Sequence, residues 1–461
     1  MLFGGEVRKE FDVQPIQYSG TETLEQICFR AYQGAPPWMD AKHGIKTVNF
    51  AKSVCVEVAR LTTMGGTVKL TGSARATWLQ EQVDRMMEHL RQWEEYACAT
   101  GTIILKPNGD FVDIYTPGEY AVVDVSAGRI DGAVFESHEV SGDGKKFYTR
   151  LEYHYFDDDG AYHILNHCYV ADSQNGKGKP VDIKATPWAM LDEESTIMGL
   201  EKPLFSPLKT PHANHVDIGS PLSLPIFVDA LKELEDLDVA YSRNAGEIYD
   251  SKRIVLLDSN RLIPFQGGRE AHTPEGYRRQ AGRMNLPDYV NIVQGGGASE
   301  AASMYQEINP TLETDVRLAG INALLSEIGF KCGFSNGAFV FNEKNGVATA
   351  TQVEADQQRT IQLIKDNRHQ LELCLEGLLY ALDKFADLYD LAPAGSWKVT
   401  IDFQDITQNF DEDRARYLSM ANSGKIPFWY YLHKFEGMTQ SEAKALVEEA
   451  QPKEPALFGE E

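Results

Sequence analysis

The chain has 461 residues, 43% hydrophobic and 24% charged, the balance of a globular protein of roughly two to four domains rather than of a disordered one. A formal net charge of −24 argues against a sequence reader that holds nucleic acid by neutralising phosphates, and no apolar run approaches the roughly 18 residues of a membrane span. The start, Met1-Leu2-Phe3-Gly4-Gly5-Glu6, lacks the basic and apolar regions of a secretory leader. The six scattered cysteines contain no C-x-x-C pair and read as reduced core thiols, not as a disulfide frame or a zinc site.

Phe50, Val54, Val58 and Leu61 recur at helical spacing and predict a helix over 49–63, stopped by Gly65-Gly66. Trp78, Leu79, Val83, Met86, Met87, Leu90 and Trp93 then form one broad apolar face and predict a single helix from Ala74 to Ala99. Alternating runs follow at Thr102–Lys106, Phe111–Tyr115, Tyr120–Val125, Gly132–Glu139, Phe147–Phe156 and Ala161–Val170. Turn signals such as Pro107-Asn108-Gly109, Gly142-Asp143-Gly144 and Asp157-Asp158-Asp159-Gly160 separate them, which predicts antiparallel hairpins. Residues 203–225, rich in proline, serine and glycine, read as a connector.

A helix is expected from Leu224 to Tyr249, with Leu231, Leu234, Leu237 and Tyr241 among its apolar positions and acids on its exposed side, followed by a strand at Arg253–Leu257. Residues 258–310 are the least regular part of the chain. From 253 to 283 six arginines face three acids. A helix over 312–328 leads to a glycine- and asparagine-rich loop. The longest helix then runs from Thr349 to Tyr389, with Ile364, Leu371, Leu378 and Phe385 seven apart and Leu375 and Leu382 between them. Some 40 residues at the helical rise span about 60 Å, and such a length asks for a large assembly or partner to cover it. A strand at Lys398–Phe403, an acidic helix, and two short helices around Pro427–His433 and Ser441–Glu449 complete the chain.

Signatures of catalysis are weak. Gly295-Gly296-Gly297-Ala298 lacks the Lys-Ser or Lys-Thr of a phosphate-binding loop. Ser206-Pro207-Leu208-Lys209 has the S-x-x-K spacing of serine acyl-enzymes but prolines where that motif needs a helix start. His163 and His167 fall on a strand, about 13 Å apart, and His212 and His215 in the connector have no cysteine near them. Asp157-Asp158-Asp159 reads as a hairpin tip, not a calcium loop. The expectation is therefore a protein that is not an enzyme and carries no cofactor and no metal.

Four segments taken in order resemble one family. Gly219-Ser220-Pro221-Leu222-Ser223-Leu224-Pro225-Ile226-Phe227, leading to Leu234-Glu235-Asp236-Leu237-Asp238-Val239-Ala240-Tyr241, is similar to the segment that opens the stem helix of portal proteins from long-tailed bacteriophages of Gram-positive hosts. Asn342-Glu343-Lys344-Asn345-Gly346-Val347-Ala348-Thr349-Ala350-Thr351-Gln352-Val353 is similar to the "G-TATEV" signature that opens that family's long wing helix. Ile401-Asp402-Phe403-Gln404-Asp405-Ile406 and Phe435-Glu436-Gly437-Met438-Thr439-Gln440-Ser441-Glu442-Ala443 resemble its later strand end and tail helix. The chain departs from the pattern at Gln352, where the family has Glu, and at Ser223 and Pro225.

The resemblance implies an α+β portal fold assembled as a ring of twelve. It divides the chain into a wing of helices and antiparallel strands (1–219), a stem helix (220–251), a mixed clip (252–310) and a second stem helix (311–330). A tunnel loop (331–348), the long wing helix and strand (349–410) and a helical crown (411–461) follow. Lys331, Asn336, Asn342, Lys344 and Asn345 would face the DNA channel. Arg261, Arg269, Arg278, Arg279 and Arg283 would lie in the clip, either docking partners, touching DNA or pairing between subunits. The implied partners are further copies of the chain, the terminase large subunit, a head-tail adaptor, the major capsid and scaffolding proteins, and double-stranded DNA passing non-specifically, with no membrane. The implied place is the portal vertex of the virion, after assembly in the host cytoplasm. Another head or tail structural protein, or an enzyme whose site the sequence hides, are the alternatives.

Overall fold

The computed structural model describes residues 4–40, 42, 44–109, 111–173, 178–251, 254–258, 290–293, 305–308, 314–340, 350–403, 410–436 and 438–449. The fold class is α+β, 45% helical and 23% strand, and the chain divides into two compact units, Met1–Ile401 and Asp402–Glu461.

The alternating runs of the first unit fold as hairpins. Strands β2 (Thr102–Asn108), β3 (Phe111–Tyr115), β4 (Tyr120–Ser126), β5 (Arg129–Val140), β6 (Phe147–Phe156) and β7 (Tyr162–Ala171) all occur. In the larger sheet β4, β5, β6 and β7 are consecutive antiparallel neighbours, and β8 (Lys179–Val181) and β9 (Glu194–Ile197) share the far edge of β7. A second sheet has the order β10-β2-β3, with β10 (Ser206–Lys209) drawn from the segment that reads as a connector. Prolines are admitted there by parity. Pro107 opposes Val112 and Pro207 opposes Ile104, and a residue without an N–H fits a pair that exchanges no ladder bonds. Lys106 therefore bonds with Asp113, Leu105 bonds with Ser206, and the polar backbone of Val112 and Ile114 points away from β2.

Both faces of the larger sheet are covered. Val134, Leu151, Tyr153 and Tyr169 pack under Val7 and Phe11 of helix α1 (Gly4–Phe11). Ile104, Tyr115, Val122, Ile130, Phe135 and Phe205 form the core between the two sheets. Helix α2 (Ser19–Tyr32) and strand β1 (Thr67–Gly72), neither evident from periodicity, frame α3 (Phe50–Thr63). The helix expected from Ala74 to Ala99 is two helices, α4 (Ala74–Met87) and α5 (Leu90–Thr100), parted at Glu88 and His89. The halves have different partners: α4 packs on β1, and α5 packs on α2, α3 and β2. One straight rod could not follow both.

Beyond a single 3-10 turn at Val228–Ala230 lies helix α6 (Leu231–Asp250). Strand β11 (Ile254–Asp258) follows it, then β12 (Val290–Val293), β13 (Tyr305–Ile308), α7 (Thr314–Lys331) and the 39-residue α8 (Ala350–Leu388). Ile364, Leu371, Leu375, Leu378 and Leu382 of α8 are buried. Contrary to expectation, no second subunit is needed to cover that stripe: α3, α4, β2 and β10 of the same chain pack along it. Buried Arg75 of α4 reaches its end, donating to the backbone oxygens of Asp383 (2.6 Å), Ala392 (2.8 Å) and Pro393 (3.1 Å) and pairing with Asp387 (2.5 Å). Arg368 donates to the backbone oxygens of Leu61 and Thr62 and so caps α3. Gly377 is required where α8 meets β10, since a Cβ there would lie 2.5 Å from Ser206 Oγ. Strand β14 (Trp397–Asp402) pairs with β1 and ends the unit.

The second unit holds α9 (Phe410–Asn422), α10 (Phe428–Phe435) and α11 (Gln440–Glu449). Tyr417, Tyr431 and Phe435 pack together, Arg414 pairs with Glu436 at 2.7 Å, and Thr439 and Glu442 form a reciprocal capping box.

Two core carboxyls leave a signature in the pH dependence of stability. Glu25 of α2 and Glu94 of α5 are buried, each with one carboxyl oxygen lacking any hydrogen-bond partner. Burial pushes both up to about 8. An acid whose folded pKa is raised favours the folded state below its unfolded pKa and loses that advantage as pH rises toward the folded value. Each should therefore lower stability by about 1.4 kcal/mol per pH unit from roughly pH 4.5 to 8. Urea midpoints across that range should fall less steeply for Glu94→Gln than for the parent chain, by one group's share.

Candidate functional site

Residues 231–331 leave the body as a helix and return as one. Helices α6 and α7 are antiparallel: Glu247 near the end of α6 pairs with Arg317 near the start of α7, and Glu233 pairs with Lys331 at 2.6 Å at the opposite ends. Leu234 and Leu237 of α6 and Ile321, Leu325 and Ile328 of α7 are buried. The far end carries a small sheet in the order β12-β11-β13, β11 parallel to β12 and antiparallel to β13. The described parts of this stretch are thus an antiparallel helix pair and a three-stranded sheet between its two helices in sequence.

Charge on this stretch is lopsided. The two helices carry eight carboxylates and four cations. Lys331, Arg317 and Lys232 are held by Glu233, Glu247 and the Glu235–Asp236 pair. Asp238, expected on the exposed acidic side, is buried. It accepts from Trp38 Nε1 and the backbone N–H of Val48, both at 2.8 Å, and locks the segment before α3 onto α6. Sequence alone hides this, because an acid in an acid-rich helix reads as solvated.

Lys331 lies in the last turn of α7, not in the loop, since the helix runs three residues beyond the expected 328. It stops at Gly333. The Gly333 N–H bonds the backbone oxygen of Phe330 at 3.1 Å and the Phe334 N–H bonds that of Gly329 at 2.8 Å, with Gly333 at φ +88°, the two-bond stop that favours glycine. Phe334 is buried and Phe339 packs edge-on against it and against Phe50. Arg359 of α8 lies 3.7 Å over the Phe330 ring and donates to its backbone oxygen. Asn336 is exposed in the turn between. The first part of the expected tunnel loop is therefore packed onto the body. Asn342, Lys344 and Asn345, and Arg261, Arg269, Arg278, Arg279 and Arg283, lie outside the described residues.

The S-x-x-K segment makes no catalytic pair. It forms β10, in which residues three apart face opposite sides, and Ser206 Oγ donates to the backbone oxygen of Cys374. His163 pairs with Asp157 at 2.9 Å, and His167 stacks on Phe11. All six cysteines are buried and unbridged. Burial pushes the thiols of Cys168 and Cys374 up to about 11 and about 12, so at neutral pH they are protonated and poor nucleophiles. Among the described residues no three His, Cys, Asp or Glu side chains converge as a metal site, and no helix is long and apolar enough to cross a membrane.

One constellation does have the form of a catalytic relay. His154 contacts Glu152 Oε1 through Nε2 at 2.8 Å and the Tyr162 hydroxyl through Nδ1 at 2.7 Å. Lys106 and Arg150 both reach Glu152 Oε2 at 2.8 Å. Burial alone would raise the Glu152 carboxyl, but Arg150 and Lys106 prevail and hold it well below its ordinary value. Burial lowers His154, and a neutral ring donates to Glu152 and accepts from Tyr162. Tyr162 is fully buried and its hydroxyl accepts the Leu204 N–H. The group is a buried polar clamp between the sheets. Sequence analysis missed this group: the alternate spacing of Arg150, Glu152 and His154 puts the three on one strand face, but only the fold brings Lys106 and Tyr162 to them.

The helix pair can be tested through its end charges. Lys331→Glu should lower the urea midpoint, by about 1 kcal/mol in stability. Combining it with Glu233→Lys should restore most of the loss in a double-mutant cycle.

No family model matches the chain, and no curated protein matches it.

Proposed function

We propose that this chain is a portal protein of a tailed bacteriophage, a ring subunit at one capsid vertex through which double-stranded DNA is packaged and later ejected. The observation that carries the reading is the order of its parts. A β-rich body is followed by a helix that leaves it, a small mixed sheet, an antiparallel helix that returns, a loop, and a 39-residue helix packed along the body. In this reading 1–219 and 349–410 are the wing, 220–251 and 311–330 the stem, 252–310 the clip that meets the terminase large subunit and then a head-tail adaptor, and 411–461 the crown. Capsid and scaffolding proteins are the remaining partners. The protein acts in the virion after assembly in the host cytoplasm.

Two physical features support it. Twelve copies of −24 sum to about −290, and like charge keeps a polyanion moving where a basic channel would trap it. The cations of the helix pair that are held in ion pairs cannot bind phosphate strongly. In addition, Tyr241, Ile248, Tyr249 and Val316 expose apolar surface on the two helices, and adjacent subunits of a ring would cover it.

Mass photometry and negative-stain microscopy should show rings of about 600 kDa from this 51.5 kDa chain; a monomer or small oligomer, with or without scaffolding protein, overturns the reading. The loop test must spare the core. Excising 342–346 keeps Phe334 and Phe339, and rings should then form while DNA packaging fails. Loss of rings on that excision would make the loop structural and remove its assignment to DNA.

A further inference from the structure

Strand β3 ends its sheet. It pairs only with β2 among the described strands, and the parity set by Pro107 turns the N–H and C=O of Val112 and Ile114 outward. None of these groups has a backbone hydrogen-bond partner elsewhere in the described residues. The same edge forms one wall of an open cleft of about 460 Å³. Trp188 and the largely buried Trp93 stand among its other walls, with Asp113, Glu119, Glu136 and Glu139. No lysine or arginine lines it, and His89 and His138 are its basic groups.

Three properties coincide in that cleft: unpaired edge backbone, an excess of carboxylates and indole rings. An unpaired edge is a template for another extended chain. The carboxylates select positive side chains, and indole faces attract ammonium and guanidinium groups. Trp188 already shows this with Arg150, whose guanidinium lies 5.1 Å from its ring centre. Some of the negative charge is committed: Asp113 accepts from Asn108 at 2.7 Å, Glu119 from Thr116, and Glu136 lies 3.6 Å from His138. On the outer part of β5, Glu139 shares the face of Ser137, whose hydroxyl meets that of Tyr115 of β3, while Glu136 lies on the opposite face with Leu151.

We propose that this cleft binds an extended, lysine- or arginine-rich segment of a partner protein by strand addition to β3. The segment bonds to Val112 and Ile114 and places its cationic side chains among the carboxylates and the two tryptophans. The reading does not depend on ring formation, because all of the groups belong to one subunit.

The probe is a fluorescein-labelled peptide alternating lysine with valine, titrated into the full chain at pH 8 and low salt, followed by anisotropy and by quenching of tryptophan fluorescence. Saturable binding that weakens with salt is expected, and the Glu139→Gln variant should weaken it several-fold. Ile114→Pro removes only an outward N–H, a change that an edge strand tolerates. It should weaken binding by a similar factor and leave the urea midpoint in place. If that variant fails to fold, the same peptide with backbone N-methyl groups along one edge keeps the charge and loses the ladder, and it should not bind. The proposal is overturned if the N-methylated peptide or the Ile114→Pro protein binds as well as the parent pair. It is equally overturned if spermidine, a cation without a peptide backbone, binds as tightly as the peptide, or if the peptide shows no saturable binding.

Discussion

The long helix α8 is the constraint on which the first unit depends. Its buried stripe from Ile364 to Leu382 is met by α3, α4, β2 and β10, segments that lie up to about two thirds of the chain away from it. Hydrophobic burial supplies the drive, and three specific contacts set the register. Arg75 collects the backbone oxygens around the end of α8, Arg368 caps α3, and Gly377 admits Ser206 at a distance no Cβ would permit. Because α7 runs into α8 through the packed turn 332–340, the helix pair inherits its position from the same spine. A long helix would look exposed in isolation, and here distant parts of its own chain cover it.

The second organising element is polar. Glu152 holds two cations and a neutral histidine in the interior between the sheets. Burying such groups costs free energy, and the cluster is tolerable because each charge finds its opposite within 3 Å. Its value is alignment: Lys106 comes from one sheet, Glu152 from the other, and Tyr162 ties both to the segment at Leu204.

Charge supports the functional reading in a specific way. The surplus of carboxylates would ordinarily argue against any dealing with DNA, and it does argue against tight binding. On the helix pair, Lys331, Arg317 and Lys232 are paired with carboxylates, so phosphate would meet few strongly attractive sites there. The same surplus gives the body its cleft at β3, where negative groups gather beside an open strand edge. Repulsion of a polyanion and recruitment of a cationic peptide follow from one bias in composition, expressed at two places.

Much of the local structure was legible in the sequence because it rests on short-range periodicity. Six alternating runs became β2 to β7, the apolar stripe of α8 was visible as a heptad-like pattern, and Gly65-Gly66 followed the end of α3. Where a segment's fate depends on distant partners, the pattern misleads. Ser206–Lys209 reads as connector and is a strand because β2 offers it a ladder. Residues 74–99 read as one helix and are two because β1 draws one half while α2 and α3 draw the other. Asp238 reads as solvated and is buried by Trp38 and Val48, some two hundred residues away in sequence. Lys331 reads as a loop cation and is committed to Glu233 across the helix pair. By itself, then, the sequence determined most of the secondary elements, the acidic bias and the α+β class, since these follow from neighbours three or four residues apart and from composition. Only the tertiary structure decided which charges are satisfied, which strand edge stays open and what covers the longest helix, because those depend on residues that meet only after the chain has folded.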